Sequence, residues 1–366
     1  MKTIRPLVFS LAAAAVMSLA GGATAQVVAA RNLADLSLEQ LSNIEVTSVS
    51  GRSESLQDAP ASIYVITAED IRRSAAVTLP QALRLAPNLQ VAQLSGGQFA
   101  ISARGFNNSI GNKLLVLIDG RTVYSALYSG VFWDANDVLL EDVERIEVIS
   151  GPGGTIWGAN AVNGVINVIT RPSADTVGVL AAVTRSSGGG VEAVRYGGKL
   201  GADGHFRLYA QAQDRSGTEG LDGRRRDDAS AKKQMGFRAD WGGTASGFTL
   251  QGDAYRSGSE PASSYSPRLE GANLLGRWNT QLADGSPLRL QAYADHASRD
   301  ELTVFRNRAD TLDLQFSHEP TLAEGQRLLW GGGWRRTRDA NDPSVGGLLA
   351  FVPAQRTLQW TNVAQY

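Results

Sequence analysis

The sequence predicts a small α+β unit followed by a run of antiparallel transmembrane β-strands. Three observations carry that reading. Residues 51–172 mix short capped helices with continuous apolar runs. From about residue 178 to residue 366 the apolar pattern switches to a period of two, the mark of strands with two unlike faces. The breaks between those strands alternate between short glycine-rich turns and long charged loops, as in barrels that cross the outer membrane.

Composition removes several alternatives. The 366 residues carry 35 Lys and Arg against 36 Asp and Glu, and this near-zero charge argues against a nucleic-acid binder, which needs a basic surface to neutralise phosphates. With no cysteine there is no disulfide scaffold, thiolate metal site or cysteine nucleophile. Hydrophobic residues make up 43%, which excludes a wholly disordered chain.

Lys2 and Arg5 precede an apolar stretch from Leu7 to Ala20, and Ala23-Thr24-Ala25 then gives a small-x-small cleavage pattern. Residues 1–25 are therefore expected to be a secretory signal peptide. That segment holds two bases and no acid, which leaves 33 bases against 36 acids. Residues 26–50 form a lead-in, in which Ile44 to Ser50 is an extended strip. Gly51 to Ala59 is polar and expected to be mobile.

Ser62 to Ile66 is a strand, and Thr67 caps a helix whose first turn holds Glu69 and Asp70. Thr78, with Gln81 three residues on, starts a second helix that runs to near Pro87 with Leu79, Leu83 and Leu85 on one face. Leu114 to Ile118 is a continuous apolar run and so a buried strand, and Asp119-Gly120 turns the chain after it. Val143 to Ile149 alternates imperfectly, and Val165 to Ile169 is stopped by Arg171-Pro172. A mixed sheet is expected. The glycine-rich stretch from Ser150 to Gly158 lacks the Gly-Lys-Ser/Thr ending of a phosphate loop, and a tight structural crossover accounts for it.

The second half then alternates. Phe206, Leu208, Ala210 and Ala212 oppose Arg207, Tyr209, Gln211 and Gln213. Phe237, Ala239 and Trp241 oppose Arg238 and Asp240. Phe248, Leu250, Gly252 and Ala254 oppose Thr249, Gln251, Asp253 and Tyr255. Leu288, Leu290, Ala292 and Ala294 oppose Arg289, Gln291, Tyr293 and Asp295. Leu312 to Phe316 and Leu328 to Arg335 follow the same rule, and weaker runs cover 177–183, 191–200, 274–282 and 358–366. This gives about ten strands. Many apolar faces are largely Ala and Gly, which suits lipid better than the bulky interior of a sandwich. Asp214 to Lys232, Arg256 to Gly271 and Arg336 to Gly347 are expected to be long loops.

The run from Val143-Glu144-Arg145-Ile146-Glu147-Val148-Ile149-Ser150-Gly151-Pro152 through Trp157-Gly158-Ala159-Asn160-Ala161-Val162-Asn163-Gly164 to Thr170-Arg171 resembles the signature of TonB-dependent outer-membrane receptors. Asp58-Ala59-Pro60, Val65-Ile66-Thr67, Ile101-Ser102-Ala103-Arg104-Gly105-Phe106 and Val116-Leu117-Ile118-Asp119-Gly120-Arg121 follow the order of that family's plug. The resemblance implies a globular plug, here 51–172, inside a barrel of about 22 strands, of which 178–366 would be the first part. It implies energy-coupled uptake of a ferric siderophore, haem or cobalamin across the outer membrane, with TonB, ExbB and ExbD as the energy-coupling partners, and no enzymatic activity or cofactor. An outer-membrane ligand-binding or signalling receptor and a truncated, non-transporting product are the alternatives. The truncated reading rests on length, since 22 tilted strands need at least roughly 200 residues before loops.

By the same resemblance TonB would grip Ile44, Glu45, Val46, Thr47, Ser48 and Val49 as an added strand. Arg104 and Glu147 match positions that hold plug against barrel, although Ser150 stands where many members carry Arg. Gly105, Gly120, Gly151, Pro152, Gly158 and Gly164 are expected to be structural. Asn107, Asn108, Tyr124, Tyr128 and Trp133 are candidate ligand contacts, since they sit in loop-like stretches with the aromatic character of recognition sites. His205, His296 and His318 have no metal-ligand spacing.

Overall fold

A computed structural model of the chain describes residues 45–46, 54–55, 62–105, 107–109, 111, 113–151, 161–220, 222–243, 245–258, 267–301, 304–320, 322, 326, 328–343 and 354–365. The expected signal peptide lies outside the described residues, as do Pro152, Gly158 and all of the 44–49 strip except Glu45 and Val46.

The first described elements are two short strands, β1 (Glu45–Val46) and β2 (Glu54–Ser55), paired antiparallel with Glu45 opposite Ser55. The segment expected to be mobile thus contributes a strand. Backbone pairing needs no apolar pattern, and a polar sequence conceals it.

Strand β3 (Ser62–Thr67) leads directly into helix α1 (Ala68–Ser74). The Thr67 cap is completed by Asp70. The Asp70 amide donates to Thr67 Oγ1 at 3.2 Å, and the Thr67 amide donates to Asp70 Oδ2 at 2.9 Å, so two orphan amides are satisfied together. The helix stops at Ala75, which takes the left-handed conformation at φ 52°. Thr78 caps α2, which is only one α-turn long (Leu79–Ala82) and tightens into a 3₁₀ turn over Leu83–Leu85. The helical run ends near Pro87 as expected, since Pro87 holds Ala86 in the extended region, φ −82° and ψ 114°.

A hairpin that the periodicity did not reveal follows, β4 (Leu89–Gln93) with β5 (Phe99–Ala103), every residue of β5 being buried. Then come β6 (Leu114–Ile118), β7 (Arg121–Thr122), β8 (Val143–Ser150) and β9 (Gly164–Thr170). The mixed sheet has the order β3-β8-β9-β6-β7, with β6 and β9 parallel and the other neighbours antiparallel. A register shift between Val143 and Arg145 explains the imperfect alternation of β8. One face of the sheet buries Ile66, Val116, Ile146 and Ile166 against α1, α2 and Trp133. The other face packs Leu115, Leu117, Ile149, Ala161 and Val165. Each such side chain contributes about 1.5–3 kcal/mol when fully buried. Gly164 is required where β8 and β9 close, since a Cβ there would lie 2.3 Å from the Ile149 carbonyl oxygen.

The rest of the described chain is one sheet of ten antiparallel strands, each paired with its sequence neighbours. They are β10 (Gly178–Ser186), β11 (Gly189–Leu200), β12 (Gly204–Arg215), β13 (Ser230–Gly242), β14 (Gly247–Gly258), β15 (Arg268–Gln281), β16 (Pro287–Glu301), β17 (Phe305–His318), β18 (Leu329–Pro343) and β19 (Ala354–Gln365). The face assignments made from alternation hold. On β12, for example, Leu208 is 52% exposed and its neighbour Arg207 only 5%. The strands run several residues further into the charged segments than expected. Arg215, Lys232 and Arg336 to Pro343, expected in loops, belong to strands. Past the apolar band both faces of a strand are polar, so the hydrophobic period fades while the backbone ladder continues.

Candidate functional site

The inward face of the ten-strand wall meets the α+β unit mainly through polar groups, with one apolar patch where Val77 and Leu139 cluster with Val191 and Ala193 of β11. The unit presents four carboxylates from its connections, and the wall answers with basic and amide side chains from seven strands.

Asp119 forms the β6–β7 turn with Gly120, both at positive φ (49° and 83°). Its carboxylate is bound first within its own unit, by the Thr170 amide at 2.9 Å and the Thr170 hydroxyl at 2.8 Å. Gln251 Nε2 of β14 donates to the same group at 3.0 Å, and Arg238 of β13 lies 3.9 Å away. The Asp119 carbonyl accepts from Arg277, and the Gly120 carbonyl accepts from Gln291 Nε2 at 3.0 Å. Two residues on, Arg121 pairs with Asp295 of β16, while Arg335 of β18 donates to Thr122 Oγ1 at 3.2 Å and lies over the Tyr124 ring. Gly120 suits this turn because its φ of 83° strains any side chain, and a Cβ there would press on the ends of Gln291, Arg277 and Arg289.

Asp142 is 2% exposed and sits between Arg195 of β11 and Arg207 of β12, the latter at 3.0 Å. Arg207 also donates to Thr170 Oγ1 at 2.9 Å. Asp137 caps the start of α2 by accepting from the Leu79 amide at 3.0 Å and faces Gln213 and Arg215 of β12, each at 3.4 Å. Asp134 receives Arg299 of β16 on both oxygens, at 3.0 and 2.9 Å, and that guanidinium covers the Phe132 ring at 4.1 Å. Lys232 of β13 donates to the Ala135 carbonyl at 2.8 Å. The charge-assisted members of this set are the strong ones, and water is largely excluded from them.

At the far tip of the unit, the β4–β5 connection touches the 216–229 loop. The Gly96 amide donates to Asp228 Oδ2 at 2.9 Å. Burial pushes the Asp228 carboxyl up, but the Thr218 hydroxyl and the amides of Thr218 and Gly96 outweigh it and hold the group below the ordinary carboxylate value.

The expected site residues divide. Tyr124 and Tyr128 are half-buried in the 123–132 segment, and Tyr128 packs edge-on against Phe132 at 5.0 Å. Burial pushes the Tyr128 hydroxyl well above its usual value. Asn107 and Asn108 are exposed. Trp133 is corrected from candidate ligand contact to core residue. It is 6% exposed and packs with Ile66, Leu79 and Val116. Glu147 is fully buried and pairs with Arg145 of its own strand at 2.9 Å, and Arg104 is exposed on left-handed backbone at φ 60°. Plug–wall contacts of that kind are made by Asp119, Arg121, Asp134, Asp137 and Asp142. Gly105, Gly120 and Gly151 have positive φ, as structural glycines should.

Between the 121–137 segment and the wall lies a cavity of about 90 Å³ of mixed lining, which includes Arg121, Tyr124, Phe132, Asp253, Leu269 and Tyr293. It can hold a few waters at about 30 Å³ each. A chelate or corrin needs several hundred Å³, so such a ligand must bind elsewhere or enter after movement.

Residues 55–165 match the family profile described as TonB-dependent Receptor Plug Domain. The vitamin B12 transporter of Vibrio vulnificus is 26% identical over 321 residues, covering 83% of this chain and 51% of the transporter. Architecture agrees: a ferric enterobactin receptor of Pseudomonas aeruginosa superposes with a TM-score of 0.62 at 19% identity, over 84% of this chain and 55% of that one. Residues 55–165 thus carry the plug domain of the TonB-dependent receptors, and the described fold is that of their plug and barrel. The α+β unit is the plug, and the ten strands form part of an outer-membrane barrel wall. An iron-regulated outer membrane virulence protein of Vibrio cholerae is 36% identical over 132 residues, 34% of this chain and 20% of that protein. The chain spans about half the length of the first of these relatives.

Proposed function

We propose that this protein takes up a scarce solute across the outer membrane, driven by TonB with ExbB and ExbD, and that the solute is a ferric siderophore, haem or cobalamin. The relatives support two of these ligands: one is a vitamin B12 transporter, and another is a receptor for ferric enterobactin. On this reading 1–25 is the export signal, 26–50 the lead-in, 51–172 the plug and 178–366 wall.

The observation that carries the proposal is the polar seam. Asp119, Asp134, Asp137 and Asp142 are held by hydrogen bonds and ion pairs to the wall, and both sides can be rehydrated when the plug shifts. A greasy interface would pay its full hydrophobic penalty on opening, whereas a polar one exchanges partners with water. Ligand would bind from outside, with Asn107, Asn108, Tyr124 and Tyr128 as contacts, and Arg104 available on the plug surface. Pull on Ile44 to Val49 would then rearrange the plug. Glu45 and Val46 pair antiparallel with Ser55 and Glu54, a backbone ladder that a strand from TonB can replace.

Deleting residues 44–49 tests the assignment. Binding of radiolabelled cyanocobalamin, ferric enterobactin or haem by cells producing the protein should persist for whichever is the substrate, and its uptake should cease. Undiminished uptake after the deletion would refute the coupling role of this segment.

A further inference from the structure

From the polar seam a line of four arginines descends the inner face of the wall. Arg207 of β12 lies directly opposite Arg238 of β13, and Arg238 lies opposite Gln251 of β14. Gln251 faces Leu275 of β15, and Arg277 is the next inward residue toward the 282–286 turn. Arg277 faces Gln291 of β16, and Arg289 is again the next inward residue toward that turn. The connections at this end, 201–203, 243–246 and 282–286, are short, which in an outer-membrane barrel marks the periplasmic side.

The four differ in what they hold. Arg207 has Asp142 at 3.0 Å, and Arg238 has Asp240 at 2.9 Å with Asp119 beyond it at 3.9 Å. Arg277 reaches neutral oxygens instead: the Asp119 carbonyl, and Gln291 Oε1 at 3.0 Å. Arg289 shares that same amide oxygen at 3.4 Å. Among the described residues neither Arg277 nor Arg289 is in an ion pair. From the level of Gln291 to the short turns, the inward positions of β15, β16 and β17 hold no carboxylate. Asn279, Gln281, Gln315 and Ser317 are the polar groups beside the two arginines. Two like charges on one neutral acceptor repel, and an anion between them relieves that repulsion. The plug covers the pair at rest. A Cβ on Gly120 would lie 3.1 Å from Arg277 and 3.3 Å from Arg289, so a shift of the Asp119-Gly120 turn opens the space in front of both.

We propose that Arg277 and Arg289 form a binding site for the anionic oxygens of the transported solute, reached from the seam once the plug turn has moved. The inference rests on the transport reading above and narrows it to solutes bearing carboxylate or catecholate oxygens, the propionates of haem included. A planar guanidinium takes such oxygens in pairs. Cobalamin is rimmed by neutral amides and carries one phosphodiester, so it fits two guanidiniums less well. Arg207 gives up Asp142 as the plug moves. An anionic solute then meets first a newly freed guanidinium and next two that hold no anion.

The test follows uptake and surface binding separately in cells producing the full chain, with radiolabelled ferric enterobactin, haem and cyanocobalamin as probes. TonB-dependent uptake of ferric enterobactin or of haem is expected, and the two arms decide between catecholate and carboxylate. Arg289 is the residue to change, since among the described residues it makes no hydrogen bond to the plug. Arg289→Gln should slow that uptake about tenfold and leave surface binding within about twofold. Arg289→Lys, which keeps the charge, should recover part of the rate. Uptake by the Gln variant at the unaltered rate would overturn the proposal. So would a parallel loss of binding and uptake, which would make Arg289 a support of the resting fold. TonB-dependent uptake of cyanocobalamin alone would also overturn it, while leaving the transport reading standing. Absence of TonB-dependent uptake for every probe would instead refute the transport reading itself.

Discussion

At the residue scale the plug is held by a few buried carboxylates, and their removal should be costly. Asp142→Ala leaves Arg195 and Arg207 facing one another without their shared anion. Breaking a buried pair from one side costs about 3–5 kcal/mol. Protease sensitivity of the plug in a urea series should report that loss as a lower midpoint. Asp228 gives a pH dependence. Its folded pKa is lowered, so its contribution is present above the ordinary value of about 3.9 and is lost as pH falls through the lowered value. Proteolysis of the 216–229 loop should therefore be steady at neutral pH and rise only in acid below about pH 4, and Asp228→Asn should flatten that rise. Trp133→Ala should cost about 3–5 kcal/mol as a core truncation, whereas Tyr124→Ala should alter ligand affinity with less effect on stability. Sequence placed both aromatics in one loop-like stretch, and nothing local separates them. Trp133 is buried by residues from distant segments, which periodicity within its own segment does not register. Asp119 was visible only as a turn residue, and its bonds to Gln251 and Arg238 depend on how the wall closes around it.

At the scale of elements, the inside and outside of each strand were legible wherever one face was apolar. Leu208 and Arg207 divide as the alternation requires. Strand ends were not legible, because Lys232, Arg215 and Asp339 lie where both faces are polar. The β4–β5 hairpin was hidden for the opposite reason: β5 is buried on both sides and shows no alternation. The face assignment is testable by a matched pair of variants. Leu208→Lys puts a charge on the lipid side and should cost about 2–4 kcal/mol if near the midplane, seen as lost heat-modifiable mobility on gels. Gln211→Lys, on the inner face beside Gln234, should retain it.

At the scale of the whole molecule, a compact α+β plug with an apolar core of its own is joined to a membrane wall mostly by polar contacts that water can replace, the Val77–Leu139–Val191–Ala193 cluster being apolar. That division separates what must stay folded from what must move, and it is the physical basis of the proposed transport cycle. The most direct measurement is uptake of radiolabelled cyanocobalamin, ferric enterobactin or haem by cells producing this protein, compared between strains with and without TonB. The account predicts accumulation of one of these solutes that requires TonB and collapses with a protonophore, while surface binding is unchanged. Equal accumulation in the two strains would contradict it, because passage would then need no pull on the plug.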